Sequence, residues 1–214
     1  MRIKIDRRLQ TVLSLIEGEE CLCDVGTDHG KLPVAALLTG RAKRAVAIDI
    51  SEKSLSKARL LAEQEGVEMR CIVGDGLSAL QEGDASVVVI AGMGGAEIVK
   101  ILGAAPCVFP RYIFVPHKNA SLLRAYLREK KAGILRDVAV KEAKHYYFVI
   151  EASFDAEWRE HSLYFGTEGE DFEAYRNARL KRIEELLRLT DDPALREEKE
   201  ELTNAHIARD HRDA

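Results

Sequence analysis

Apolar and polar residues follow two alternating patterns along this chain. Short, nearly continuous apolar runs, such as residues 86–91, are separated by segments in which apolar residues recur every three or four positions. The runs are typical of strands buried on both faces of a sheet, and the segments between them are typical of crossover helices. The pattern therefore predicts an α/β fold with a mostly parallel sheet.

The elements can be placed along the chain from this pattern. The predicted strands are residues 21–25, 45–49, 69–73, 86–91, 112–115, 134–140 and 145–152. Helices are expected to begin near Lys31, Glu52, Gly95 and Ala120, after an amphipathic first helix that carries Leu9, Val12, Leu13 and Ile16. Only "KEAK" separates the last two strands, so they should form an antiparallel hairpin. A parallel sheet that ends in such a hairpin is typical of Rossmann-like class I methyltransferases and of fewer nicotinamide dehydrogenases.

The C-terminal part of the chain has a different pattern. From about Glu168 the sequence is charged, with apolar residues at roughly helical spacing: Phe172, Tyr175, Leu180, Ile183, Leu186 and Leu187. Asp192 and Pro193 supply a cap and a first-turn proline for a second helix, which should fold back as a helical hairpin. We therefore expect a Rossmann-like catalytic domain in residues 1–155 and a C-terminal helical subdomain in residues 156–214.

Composition restricts the setting of the protein. Its apolar runs are shorter than the about 20 residues that cross a bilayer, and the N-terminus lacks an apolar signal core, so a cytoplasmic protein without membrane contact is expected. The four cysteines are scattered without CxxC pairs, which favours reduced core thiols and no metal site. Nothing in the sequence sets the oligomeric state, for which a monomer is the default expectation.

Charge is distributed unevenly along the chain. The net charge is −4, but residues 1–150 hold 22 Lys and Arg against 18 Asp and Glu, whereas residues 151–214 hold 10 against 18. The first part is thus +4 and the second −8, which leaves room for a nucleic-acid partner on the first part. Candidate phosphate contacts are Arg2, Lys4, Arg7, Arg8, Arg41, Lys43 and Arg44, with a local cluster of Arg176, Arg179, Lys181 and Arg182 in the acidic tail.

The loop "DVGTDHG" follows the first strand and precedes a helix. Gly26 and Gly30 suit a sharp turn and a close ligand approach, but Asp28 stands where a dinucleotide fingerprint has glycine. A carboxylate there would repel a pyrophosphate, so a cationic or zwitterionic ligand fits better. Asp49 ends the second strand, where an acid accepts hydrogen bonds from a ribose diol, and Asp75 follows the third. The alternative, that each acid caps a following helix, is compatible with this.

The fourth strand ends in "VVVIAGMGGAEI". Gly92, Gly94 and Gly95 should leave a bare backbone where a ligand or a flipped base can lie. Met93 is either a core residue or a lid over the substrate. The Asn/Asp-Pro-Pro-aromatic motif of many amino-group methyltransferases is missing, which disfavours an exocyclic amine as the target.

Together, "DVGTDHGKLP", "GDGL" and "VIAGMGG" resemble the bacterial tRNA (adenine-22) N1-methyltransferase family from about Arg7 onward. The resemblance implies a Rossmann-like domain that binds S-adenosylmethionine and a C-terminal helical part implicated in tRNA binding. One segment departs from the family at two positions: Val115, Pro116 and His117 stand where many members have Gln-Pro-Asn. The departure leaves open a methyltransferase of this fold that acts on another RNA or a small molecule. A donor-binding but catalytically silent RNA-interaction module is the other alternative.

These arguments assign candidate residues to three groups. The cofactor candidates are Asp24, Gly26, Thr27, Asp28, Gly30, Asp49, Ile50, Gly74, Asp75, Gly76, Ala91, Gly92 and Met93. The substrate candidates are Gly94, Gly95, Pro116, His117, Lys118, Arg124, Arg176 and Arg179. The catalytic candidates are Asp28, which could stabilise a cationic methylated base or hold the methionine amino group, and His29, for which loop hydrogen bonding is the alternative.

Overall fold

The structure is a computed structural model that describes residues 3–210, with side chains as far as residue 205. Arg2, one of the predicted phosphate contacts, lies outside the described residues. So do residues 211–214, the end of the predicted helical subdomain.

A seven-stranded sheet has the order β3-β2-β1-β4-β5-β7-β6. Its strands are β1 (Glu19–Val25), β2 (Ala42–Asp49), β3 (Arg70–Val73), β4 (Val87–Ala91), β5 (Tyr112–Val115), β6 (Gly133–Glu142) and β7 (His145–Ser153). The first five strands pair in parallel, and β7 pairs antiparallel with both β5 and β6. The predicted fold class, a mostly parallel sheet with an antiparallel C-terminal hairpin, is confirmed.

Seven helices flank the sheet in the described part of the chain. They are α1 (Arg7–Leu15), α2 (Lys31–Leu38), α3 (Glu52–Glu65), α4 (Gly95–Gly103), α5 (Ala120–Glu129), α6 (Phe172–Leu187) and α7 (Pro193–Asp210). Five of them, α2, α3, α4, α5 and α7, begin where the sequence predicted: α2 follows Gly30, α3 has the Ser51 hydroxyl as its cap and α7 starts at Pro193. The helical pattern expected from about Glu168 becomes a helix only at Phe172. The predicted C-terminal helical hairpin is therefore present.

Two predicted strands begin earlier than their apolar runs do. β1 starts at Glu19 and pairs with Ala42 of β2, although Cys21 and Ala45 open the apolar runs. The Glu19 carboxylate accepts a hydrogen bond from the Ser86 hydroxyl at 2.6 Å and pairs with Arg111 at 2.5 Å. Because these partners satisfy its charge, a polar residue can begin a half-buried strand.

The core has two layers, one on each face of the sheet. Cys21, Cys23 and Val25 lie in one layer and Leu22 in the other, as strand alternation requires. All four cysteines are free, and Cys21 and Cys23, two residues apart on β1, share a face of the sheet. Phe172, Ile183 and Leu202 of the last two helices belong to the same layer as Cys21, so the helical hairpin extends the core of the sheet.

Polar contacts also join the C-terminal segment to the edge strand β6. The Ala139 N–H donates to the Glu168 carbonyl at 2.8 Å, and the Lys141 N–H donates to the Asp171 carboxylate at 2.8 Å. Arg179 of α6 makes two hydrogen bonds, at 2.6 and 2.7 Å, to Glu198 of α7. The start of α6 is thereby tied to β6, and the two helices of the hairpin are tied to each other.

Candidate active site

A cleft of about 720 Å³ opens at the carboxyl edge of the parallel strands. Its walls are the loops that follow β1, β2, β3 and β4, together with parts of α1 and α4. In open α/β sheets, ligands bind at this edge, beside the point where the strand order reverses. Here the strand order reverses between the neighbouring strands β1 and β4.

The cleft gathers the predicted cofactor candidates, with one exception. Gly30 does not line it; this residue has φ 67°, and a Cβ there would lie 2.7 Å from the Cβ of Ala58 on α3. Glycine at position 30 therefore lets α2 begin close against α3. The packing of the two helices, and not the expected close approach of a ligand, requires a glycine there.

Gly26 and Met93 hold the loops after β1 and β4 together. Gly26 has φ 75°, and a Cβ there would lie 2.3 Å from the Met93 methyl carbon. Met93 lines the cleft and also packs against the core layer that contains Cys21. The position of Met93 is therefore compatible with both alternatives, a core residue and a lid over the cleft.

Asp24 is the buried acid of the site. Its residue is 6% exposed, and burial, with the nearby charge of Asp49, raises the pKa of its carboxyl to about 6. The Thr27 hydroxyl lies close enough to the Asp24 carboxyl to counter part of this rise in pKa. Its oxygen nevertheless has no partner in good hydrogen-bonding geometry among the described residues. A buried carboxyl beside an unpartnered hydroxyl suits a ligand with an ammonium or other donor group.

Asp49 and Asp75 occupy the ends of β2 and β3. The Asp49 carboxylate accepts hydrogen bonds from the Ser51 N–H at 2.8 Å and the Asp28 N–H at 3.3 Å. Ile50 next to it is 75% exposed and lines the cleft, which offers an apolar contact for a flat ring. None of the three acids caps a helix: α2 and α3 begin after Gly30 and Ser51, and the segment after Asp75 is a turn. The helix-capping alternative is therefore wrong.

Asp28 and His29 lie on the rim of the cleft and contact each other. The Asp28 carboxylate is 67% exposed and lies 2.6 Å from His29 Nδ1, while His29 Nε2 lies 3.2 Å from the ammonium of Lys57 on α3. Asp28 adopts φ 48°, a left-handed backbone that Asp and Asn tolerate better than most residues. His29 therefore makes the predicted loop hydrogen bond, and Lys57 is a contact that the sequence motifs did not indicate.

The loops after β4 and β5 cover each other. The His117 N–H donates to the Met93 carbonyl and the Gly95 N–H donates to the Lys118 carbonyl, both at 2.9 Å. A Cβ on Gly95 would lie 2.0 Å from the carbonyl oxygen of Asn119. Gly94 and Gly95 are thus buried by the chain itself, and the expected bare backbone remains only at Gly92, which has no atom within 4 Å of a Cβ position.

The other substrate candidates divide by exposure. His117 and Lys118 are exposed next to the cleft, whereas Pro116 is buried. Arg124 is 0% exposed, bonds Asp137 at 2.8 and 3.0 Å and lies 4.4 Å from the centre of the Phe148 ring. The expected RNA contacts of Pro116 and Arg124 are incompatible with this burial.

The predicted basic cluster on α6 is largely neutralised. Arg176 is 9% exposed and pairs with Glu173, Arg179 pairs with Glu198, and Arg182 pairs with Glu185. Lys181 is exposed without an ion pair among the residues the structure describes. Arg179 therefore joins the two helices of the hairpin, Arg176 is paired within α6, and the predicted positive stripe is reduced to Lys181.

Several cleft residues were missed by sequence reasoning. Arg8, Lys31, Glu97, Lys100 and Ile101 all line the cleft. Glu97, Lys100 and Ile101 stand at the spacing that puts residues on one face of a helix, and α4 starts at the site loop, so that signal was available. Arg8 was predicted as a phosphate contact but not as a cleft residue, because α1 reaches the cleft through tertiary packing on α2, β6 and β7.

Two further findings describe the molecule as a whole. Among residues 3–210, no group of three or more His, Cys, Asp or Glu side chains is arranged to hold a metal ion. No helix in the same range combines the length and apolar character needed to cross a membrane.

Comparison with known proteins identifies the family. The family model of a methyltransferase domain matches residues 5–150. The tRNA (adenine(22)-N(1))-methyltransferase of Bacillus subtilis is 33% identical over 155 residues, which are 70% of this chain and 65% of that protein. The aligned part thus spans slightly under two thirds of that relative's length.

Solved structures extend the likeness over nearly the whole chain. The B. subtilis m1A22 tRNA methyltransferase TrmK has a TM-score of 0.73 and 25% identity, covering 95% of this chain and 96% of that one. Streptococcus pneumoniae Sp1610 in complex with S-adenosyl-L-methionine has a TM-score of 0.81 and 26% identity, covering 94% and 99%. The chain therefore belongs to the methyltransferase domain family, and its relatives there are the bacterial tRNA (adenine(22)-N(1))-methyltransferases that its motifs resemble.

Proposed function

We propose that this protein is an S-adenosylmethionine-dependent methyltransferase that methylates N1 of an adenine in tRNA, at position 22. The observation that carries the proposal is the cleft, where Asp24, Asp49 and Asp75 meet two glycine-containing loops. The B. subtilis relative, named for this reaction, supports the choice of substrate. We further propose that it acts in the cytoplasm, with residues 1–155 as the catalytic domain and residues 156–214 as a helical subdomain.

The cleft residues fit the methyl donor. Asp24 and the Thr27 hydroxyl suit its ammonium and carboxylate end, because the carboxyl is buried and the hydroxyl oxygen has no partner in the described part of the chain. Asp49 suits the ribose hydroxyls, and the exposed face of Ile50 suits the adenine ring. When bound, the donor supplies an electrophilic methyl group on a positively charged sulfur.

The residues of the chain act mainly by positioning. N1 of adenine carries a free lone pair at neutral pH, so no general base is needed to activate it. The open backbone at Gly92 and the cover formed by Met93 leave room for the base beside the loop after β1. Alignment of the reacting atoms within about 3–3.5 Å can supply much of the rate enhancement.

Asp28 is suited to hold the base and to stabilise its charge. Its Oδ2 contacts His29, while Oδ1 has no hydrogen-bond partner among the described residues. An N6 amino group next to the reacting nitrogen can donate to Oδ1, and the carboxylate then lies near the positive charge that develops on the ring. The positive φ of Asp28 determines which variants test this cleanly.

Asp28→Asn and Asp28→Gly keep a backbone conformation that position 28 tolerates, whereas Ala would add strain. Both variants should lower kcat about tenfold at saturating donor and tRNA, the size expected for one charged contact to the transition state. Lys53→Met, on the exposed face of α3, is the control and should keep full turnover. Full turnover of both Asp28 variants would exclude a catalytic role for this carboxylate.

The tRNA phosphates would be contacted by free cations around the cleft. Lys31 and Lys100 line it, Lys118 lies against Gly94 beside it, and none of the three forms an ion pair within the described residues. By contrast, Arg7 pairs with Glu170 and Asp171, and Lys43 pairs with Glu20. The cleft mouth is therefore the better candidate for phosphate binding than the predicted cluster on α6.

The test is to incubate the protein with labelled donor and unmodified bulk tRNA, and to map the modified nucleotide by reverse-transcription stops. A stop at adenine 22 is expected, together with loss of labelling in a matched transcript that has guanine there. Labelling of another nucleotide, or only of a small molecule, would replace this substrate by one of the alternatives. Donor binding without any turnover would instead indicate an RNA-interaction module.

A further inference from the structure

The loop after β1 carries a three-membered hydrogen-bonded chain. It runs from the Lys57 ammonium to His29 Nε2 at 3.2 Å, and from His29 Nδ1 to Asp28 Oδ2 at 2.6 Å. Lys57 lies on the exposed face of α3, outside both glycine-containing loops. These two hydrogen bonds therefore link α3, which does not line the cleft, to the Asp28 carboxylate on the rim of the cleft.

The donors and acceptors allow one consistent assignment of protons. An ammonium has three donors and no acceptor, so His29 Nε2 must present its lone pair to Lys57. The ring proton of a neutral His29 is then on Nδ1, where it donates to an ionised Asp28. A doubly protonated ring would direct an N–H at the ammonium, and a Nε2–H ring would leave Nδ1 and Asp28 as two acceptors facing each other.

Asp28 is restrained from a second direction as well. Its own N–H donates to Asp49 at 3.3 Å, and its φ of 48° turns the side chain toward His29. The other charged groups that line the cleft are Arg8, Asp24, Lys31, Asp49, Asp75, Glu97 and Lys100. None of them is hydrogen-bonded to His29 in the described residues, so Asp28 at Nδ1 and Lys57 at Nε2 are the two groups that distinguish the ring nitrogens.

We propose that Lys57 is a positioning residue that holds His29 in the Nδ1–H tautomer and thereby fixes the rotamer of Asp28. The role in turnover rests on the proposed function, whereas the tautomer does not. Lys57, His29 and Asp28 are all substantially exposed. Their two hydrogen bonds therefore orient the loop after β1 and add little to the stability of the protein.

Nitrogen NMR of the full-length protein tests the tautomer directly. Long-range proton–nitrogen correlations at pH 7.5 should show a pyrrole-type Nδ1 and a pyridine-type Nε2 for His29. In Lys57→Met the pattern should move toward the Nε2–H tautomer that free histidine prefers. Lys57→Arg can still donate and should keep most of the original pattern, and Lys53→Met, one turn away without an ion pair in the described chain, should keep all of it.

Kinetics then test the positioning role. Lys57→Met should lower kcat about threefold to tenfold with little change in the KM for donor, because a misaligned group costs rate more than binding. A wild-type Nε2–H ring, or an unchanged ring in Lys57→Met, would overturn the proposal whatever the enzyme methylates. A changed ring with unchanged kcat would overturn the positioning role. Failure of the proposed function would appear separately, as absent tRNA methylation by the wild type.

Discussion

The two loop pairs that form the mouth of the cleft use glycine in different ways. After β1 and β3, Gly26 and Gly76 have positive φ and contact Met93 and Ile101, while acidic side chains next to them face the cleft. After β4, Gly94 and Gly95 lie beneath the loop that follows β5. The first arrangement presents side chains to a ligand, and the second joins two loops into one surface.

This difference separates two functions that the sequence presented as one. A glycine-rich stretch at a strand end indicates close backbone approach, but it does not say what approaches. On the β1 side the ligand is expected to do so, and on the β4 side the chain itself does. The exposed groups next to the second loop pair, His117 and Lys118, then become the candidates for RNA contact.

The largest effect should come from Arg124, which was expected to contact RNA and is buried. Arg124→Met leaves the Asp137 carboxylate without its partner and should lower the free energy of unfolding by about 3–5 kcal/mol. Urea denaturation measures this loss. Arg136→Met on the neighbouring strand breaks only an exposed pair with Glu168 and should cost less than about 1 kcal/mol. Equal losses in the two variants would contradict the assignment of Arg124 to the core.

Gly95→Ala should separate the two joined loops. The added methyl carbon meets the Asn119 carbonyl at 2.0 Å, so a cost of about 1–3 kcal/mol is expected, with weaker tRNA binding. Gly103→Ala, at the end of the same helix and without neighbours within 4 Å, is the matched control and should be neutral or slightly stabilising. Thermal unfolding and filter binding provide the two measurements. Wild-type stability in Gly95→Ala would show that the loops are not in contact.

Asp24 gives the donor side its own pH dependence. Because burial raises its pKa to about 6, the carboxylate is lost as pH falls through about 6, and donor affinity should fall with it. Asp24→Asn should bind donor about 10- to 100-fold more weakly at pH 8 and lose this dependence, as measured by isothermal titration. An unchanged pH profile in the variant would assign the titration to another group.

The same shift has the opposite sign for the stability of the protein without ligand. A pKa raised in the folded state above 3.8 means that ionised Asp24 opposes folding, so this contribution to stability declines from about pH 4 to pH 6 and is constant above. The free energy of unfolding of Asp24→Asn, taken relative to that of the wild type, should therefore be larger at pH 8 than at pH 4. Urea midpoints at the two pH values measure the difference, and a variant that loses stability equally at both would contradict it.

The smallest effect is expected at Lys118, on the RNA side. Lys118→Met should weaken tRNA binding about threefold at physiological salt and reduce the salt slope by about one, the change for a single phosphate contact. Arg44→Met removes a cation that has no ion pair in the described chain and lies near the amino edge of the sheet. Its salt slope should equal that of the wild type. If Arg44→Met and Lys118→Met changed the salt slope of tRNA binding equally, the cleft mouth would not be the specific site of phosphate contact.

Sequence patterns predicted the sheet and the donor side better than the RNA side. Strand periodicity and the acids at strand ends depend on local order along the chain, and Asp24, Asp49 and Ile50 line the cleft as expected. The burial of Arg124 depends on its pairing with Asp137, 13 residues away, and the burial of Arg176 depends on the packing of α6, neither of which a local pattern encodes. Lys57 was missed for the same reason, since its partner is 28 residues away in sequence.

The packing of α1 has a consequence for how the protein is made. This helix supplies Arg8 and Leu9 to the wall of the cleft, yet it rests on β6 and β7, and Arg7 pairs with Glu170 and Asp171. During synthesis, α1 can pack on α2 early, whereas its contacts with β6, β7 and Glu170 form only after those later segments have been made. The part of the cleft wall that α1 supplies therefore gains its full set of contacts only after the segment that contains Glu170 has been made.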